Sequence, residues 1–103
     1  MKNFELTQTK LGTDSMRVDV EGRIAADTAD TFAAVLDKLA AEDYREISVV
    51  MSKTTLLTSV GIRAILKTYK RLTETGGKFK IVSPSEPVRN VLGLSALEQM
   101  LAD

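Results

Sequence analysis

The stretch Ile47-Ser48-Val49-Val50-Met51 constrains this chain more than any other. It is short, β-branched and mostly apolar, the composition of a central strand buried on both faces. Segments of helical period lie on either side of it. Upstream, Phe32, Val35, Leu36 and Leu39 fall at i, i+3, i+4 and i+7, one face of a helix. Downstream, a helix beginning near Ser59 carries Ile62, Ile65, Leu66, Tyr69 and Leu72 inward. A strand set between two helices calls for partner strands beyond them. Met16, Val18 and Val20 alternate with Arg17, Asp19 and Glu21 on one side, and Lys78-Phe79-Lys80-Ile81-Val82 stands on the other. Strand–helix–strand units of this kind make right-handed parallel crossovers.

The remaining segments complete the order ββαβαβαα. Asn3 to Thr9 alternates loosely and reads as an edge strand. The turn formers Leu11-Gly12-Thr13-Asp14-Ser15 join it to the next strand as a hairpin. Gly22-Arg23-Ile24-Ala25-Ala26 reads as a loop leading to Asp27 as N-cap, with Asp30 in the first turn of helix one. Ser52 to Thr58 reads as a connector, and Thr75-Gly76-Gly77 as the stop of helix two. Ser83 to Pro87 opens a short third helix with Val88, Val91 and Leu92 on one side. Gly93 interrupts it, and Leu94 to Ala102 forms a last helix. The expectation is one α/β domain over residues 1–103: a four-stranded mixed sheet with about four helices over at least one face.

Composition excludes several classes of chemistry. Lysine plus arginine equals aspartate plus glutamate at 14 each, so bulk charge makes no case for nucleic acid or an anionic membrane surface. Cysteine and histidine are both absent. That removes disulfides, Cys/His zinc sites and triads that need a histidine base. No apolar run approaches a membrane span, and the N-terminal residues do not read as a secretory signal. The expected setting is the cytoplasm. No HExxH, CxxC, Walker A or GxGxxG pattern occurs, so no cofactor and no enzymatic activity are expected. Asp27 with Asp30 fits helix capping better than acid–base work.

The most distinctive local feature is Thr58-Ser59-Val60-Gly61, where a helix begins. One hydroxyl there can serve as an N-cap, stabilising by about 1 kcal/mol. On local chemistry alone, capping is the better reading. The flanking Leu56, Leu57, Val60 and Ile62 bring apolar side chains to a helix mouth, which suits a partner interface. Gly61 costs about 1 kcal/mol against alanine in a helix. It fits either close approach by another protein or crowding against the sheet.

The segments Ile47 to Lys53 and Leu57-Thr58-Ser59-Val60-Gly61-Ile62-Arg63-Ala64-Ile65-Leu66 resemble the central signature of STAS domains, specifically bacterial anti-sigma factor antagonists. Val20 to Ile24, Gly77 to Val82 and Pro84 to Leu94 resemble that family's other segments in the same order. The resemblance implies a protein that binds an anti-sigma factor with serine kinase activity and so releases a sigma factor. Phosphorylation at the start of helix two switches it off, and a serine phosphatase resets it. Ser59 stands at that position, with Thr58 as a second candidate acceptor. The implied partner surface is Arg23, Ile24, Ala25, Leu57, Thr58, Ser59, Val60 and Arg63. Thr58 and Val50 stand where many members carry aspartate. Two alternatives follow: a STAS-like accessory subunit of a lipid-transport ABC complex, without a switch, and a nucleotide-binding module.

Overall fold

The computed structural model describes residues 4–94 of the chain. Four strands form one sheet in the order β1-β2-β3-β4. Strand β1 (Phe4–Lys10) and β2 (Ser15–Ile24) make the expected antiparallel hairpin, while β2, β3 (Glu46–Leu57) and β4 (Lys78–Val82) run parallel. The parallel steps are made by α1 (Ala29–Ala41) and α2 (Ser59–Glu74). A third helix, α3 (Glu86–Leu94), follows β4. These are the three helices among the described residues. The fourth expected helix falls almost wholly on 95–102, outside them. Helix α3 runs through Gly93, which does not interrupt it.

The core lies on one face of the sheet. Val18 and Val20 of β2, Ile47, Val49 and Met51 of β3, and Phe79 and Ile81 of β4 point into it. Phe32, Leu36 and Leu39 of α1, Ile65 and Leu72 of α2, and Val88 and Leu92 of α3 meet them there. In α2 the buried stripe also takes Ala64 and Thr68, leaving Ile62, Leu66 and Tyr69 half-buried at its margins.

The opposite face corrects the expectation that β3 is buried on both sides. Ser48 and Val50 are only half-buried. Ser48 lies between Arg17 and Lys80 in the register, and Val50 between Asp19 and Val82. Arg17 donates two hydrogen bonds of 2.9 Å to the Asp19 carboxylate. That hydrogen bonding first, and the carboxylate charge second, hold the guanidinium above its ordinary range. The pair lies along β2 beside Ser48 and Val50, and it lines one depression with Val50.

Strand β3 is also longer than expected. It continues through Ser52 to Leu57, so there is no connector. The inward positions run Ile47, Val49, Met51, then Thr54 and Leu57. The period of two is lost because the register with β2 shifts twice, between Asp19 and Glu21 and between Gly22 and Arg23. Each time β3 carries one residue more than β2, as at a β-bulge. Gly22 accommodates the second shift with φ at 97°, a conformation glycine adopts freely. The inward Thr54 hydroxyl donates to the Val20 carbonyl at 3.0 Å, so its burial leaves no polar group unpaired.

Candidate functional site

The carboxyl ends of β2 and β3 and the start of α2 form the candidate site. Strand β2 reaches Ile24, which corrects the reading of residues 22–26 as a loop: Arg23 and Ile24 are strand residues and Ala25 begins the turn. The N-cap of α1 is Thr28, not Asp27. The Thr28 hydroxyl donates to the Arg23 carbonyl at 2.6 Å and accepts from the Ala25 amide at 2.9 Å. Spanning the turn, it does what an aspartate cannot, since an ionised carboxylate has no proton to give a carbonyl.

A second latch joins the two strand ends. The Ile24 carbonyl accepts from the Thr58 amide at 3.1 Å and from the Thr58 hydroxyl at 3.0 Å. Thr58 is the N-cap residue of α2 by position, but its side chain does not cap. The first helical hydrogen bond runs from the Ile62 amide to the Thr58 carbonyl at 3.0 Å. The amides of Ser59, Val60 and Gly61 therefore precede the helical ladder, and no acidic residue stands in that turn.

Ser59 and the second candidate acceptor, Thr58, are distinct here. The half-buried Thr58 spends its hydroxyl on Ile24. Ser59, the first residue of α2, is exposed, and its hydroxyl meets no hydrogen-bond partner among the described residues.

Gly61 decides between its two readings. It is buried, so no outside backbone approaches it. A Cβ there would lie 2.6 Å from Ile24 Cγ2 and 2.7 Å from Leu57 Cδ1. The glycine lets α2 settle onto the ends of β2 and β3. Ile24 and Leu57, expected at the partner surface, are 0% and 3% exposed. They support that surface from beneath and do not line it.

What reaches solvent at this end is Arg23, Ser59, Val60 and Arg63, with Ala25 and Thr58 partly covered. Val60 is 41% exposed. Leu56, absent from the expected contact set, is 36% exposed. It stands among the apolar residues that the sequence brings to this helix mouth, and in the strand it points to the side opposite the buried Leu57. Between α1 and α2 lies an open groove of about 170 Å³ lined by Ala33, Asp37, Val60, Arg63, Ala64 and Lys67. Lys67 Nζ lies 3.6 Å from the Asp37 carboxylate across it. Val50 is remote from all of this: the strand separating it from Leu57 is about 23 Å long at ~3.3 Å per residue. No cluster of three or more potential metal ligands occurs among the described residues, and no described helix is long and apolar enough to cross a membrane.

Comparison with known proteins places this geometry. A Thermotoga maritima protein named as a candidate anti-sigma factor antagonist is 31% identical over 67 residues, which are 65% of this chain and 59% of that one. A Thermotoga neapolitana homologue is 30% identical over the same shares. The chain thus spans about 59% of the length of these curated relatives. The fold is similar to that of the unphosphorylated anti-sigma factor antagonist SpoIIAA, with a TM-score of 0.86 at 16% identity over 96% of this chain and 87% of the other. SpoIIAA from Bacillus in its phosphorylated form gives 0.80 at 15% identity over 96% and 90%. The pattern that describes STAS domains matches residues 7–102, and the chain belongs to the STAS domain family.

Proposed function

We propose that this protein is an anti-sigma factor antagonist that acts by binding and not by catalysis. In this reading the exposed end formed by Arg23, Ala25, Thr58, Ser59, Val60 and Arg63 holds an anti-sigma factor and so frees a sigma factor in the cytoplasm. The anti-sigma factor is itself a serine kinase. The Ser59 oxygen takes the γ-phosphoryl group of ATP, gives up its proton, and ADP leaves. A serine phosphatase restores the hydroxyl.

The observation that carries this reading is the contrast between Ser59 and Thr58. An acceptor hydroxyl must be exposed and uncommitted. Ser59 is both, while the Thr58 hydroxyl is tied to Ile24. The helix start also suits a phosphate within the protein's own fold. The uncapped amides of the first turn and the helix dipole favour negative charge. In a packed partner interface the same group, carrying about −1.5 to −2 charges, must be desolvated. A penalty of about 3 kcal/mol there lowers affinity more than a hundredfold. Family membership and the names of the Thermotoga relatives support the same role.

The test is phosphosite mapping after incubation with ATP and the anti-sigma kinases of the same genome. Phosphate on Ser59 is expected. Phosphate on Thr58 alone, or on neither residue, contradicts the switch. A second reading draws on Thr58 standing where many members carry aspartate: a STAS subunit docked constitutively on the ATPase of a lipid-transport ABC complex. Copurification with such an ATPase and no phosphate on Ser59 would favour it.

A further inference from the structure

The groove beside Ser59 has an apolar floor and an unequal rim. Val60 of α2, 41% exposed, faces Ala33 of α1 and Ala64 of α2, small side chains that leave the depression open. Three charged groups rim it: Asp37, Arg63 and Lys67. Two of these satisfy each other, Lys67 with Asp37 at 3.6 Å. Arg63 is exposed and has no ion-pair partner among the described residues. The rim therefore carries one uncompensated cation beside an apolar floor. Charge complementarity selects an acidic partner segment that offers an apolar side chain to the floor and a carboxylate to Arg63.

Arg63 has a second relation on the same helix. It follows Ser59 by four residues, so the two side chains are neighbours on the α2 surface, with Cβ atoms about 6 Å apart. A hydroxyl at position 59 offers a guanidinium one neutral acceptor oxygen and no charge. A phosphate offers more: it presents three acceptor oxygens and about two negative charges to a planar donor fork. In this orientation, anion before cation, the pair also follows the helix dipole.

We infer that Arg63 anchors an acidic segment of the protein partner in the α1–α2 groove, and that a phosphate on Ser59 disables the groove by taking Arg63 for itself. The modification adds negative charge beside an acidic ligand and withdraws the cation that held it. This deepens the proposed function and rests on Ser59 being the switch.

The two halves are tested separately. Titration of the unmodified chain with the anti-sigma kinase it binds uses Arg63→Gln and, as a control on the same helix, Lys70→Gln. Arg63→Gln is expected to weaken binding about tenfold and to flatten its salt dependence, with Lys70→Gln close to wild type. Wild-type affinity in Arg63→Gln overturns the anchoring role. Binding of a DNA or RNA oligonucleotide that depends on Arg63 overturns the choice of an acidic protein segment.

The capture is read without any partner. The chain carrying phosphoserine at 59 should melt higher than the unmodified chain at low salt. The gain should shrink in 1 M NaCl and in the Arg63→Gln background, which leaves only the part owed to the helix start. An equal gain with and without Arg63 overturns the capture. If the unmodified chain binds no anti-sigma kinase yet this coupling is present, the proposed function and the anchoring role fall while the Ser59–Arg63 capture stands.

Discussion

Adding one methyl group at Gly61 would place carbon within 2.6–2.7 Å of Ile24 and Leu57, both buried under the site. Alanine there gains about 1 kcal/mol in helix propensity. Overpacking against these two buried side chains, which must shift to make room, costs more, about 1–3 kcal/mol. Gly61→Ala is therefore expected to lower stability in urea denaturation. A stabilised variant would mean that α2 can lift off the strand ends freely. The two hydroxyls separate in the same assay. Ser59→Ala should stay within about 0.5 kcal/mol of wild type, since that oxygen bonds nothing described. Thr58→Ala should lose about 1 kcal/mol through its bond to Ile24. That distinction was not legible in the sequence. Thr58 and Ser59 are adjacent, similar and both suited to a helix start. Only the approach of the Ile24 carbonyl, 34 residues away in the chain, tells them apart.

At the scale of elements, α1, α2, β4 and β2 as far as Glu21 follow from the spacing of their apolar residues. Strand β3 did not, beyond Met51. Its inward residues change spacing at Thr54 because two bulges each insert a residue, and a threonine at a buried position reads as polar linker. Thr54 is what makes the irregular stretch tolerable. Its hydroxyl answers the Val20 carbonyl next to the shift, and its own carbonyl accepts from the Ser85 hydroxyl at 2.6 Å ahead of α3. Thr54→Val keeps the shape and removes the donor. It should cost about 1–3 kcal/mol, read as a lower denaturation midpoint with unchanged slope. A neutral result would show that the Val20 carbonyl is satisfied another way. The N-cap of α1 was misplaced by one residue for a related reason. Asp27 has the favoured composition, but the turn needs a side chain that both donates and accepts, and Thr28 provides it.

At the scale of the whole, the described residues form an open mixed sheet with their helices on one face, and its two faces do different work. One holds the core and, at the carboxyl ends of β2 and β3, presents Ser59. The other carries polar side chains over Ser48 and Val50. Parallel crossovers were readable from the alternation of periods, but single-sided cover was not. A valine-rich strand reads as buried on both faces even where, as at Val50, its outer side stands beside Asp19 and is only half-buried. Val50, where many family members carry aspartate, lies on that outer face and far from Ser59. Val50→Asp should therefore change partner affinity by less than about twofold, because distant sites act independently. A tenfold change in titration would show that the outer face contributes to binding.

In the proposed function one exposed hydroxyl switches a binding surface while the fold persists. Titration calorimetry of the anti-sigma kinase with the unmodified chain and with the chain carrying phosphoserine at 59 tests it most directly. Loss of affinity by more than about a hundredfold is expected, with unchanged circular dichroism. Equal affinity for both forms, or loss of binding accompanied by loss of fold, would contradict it.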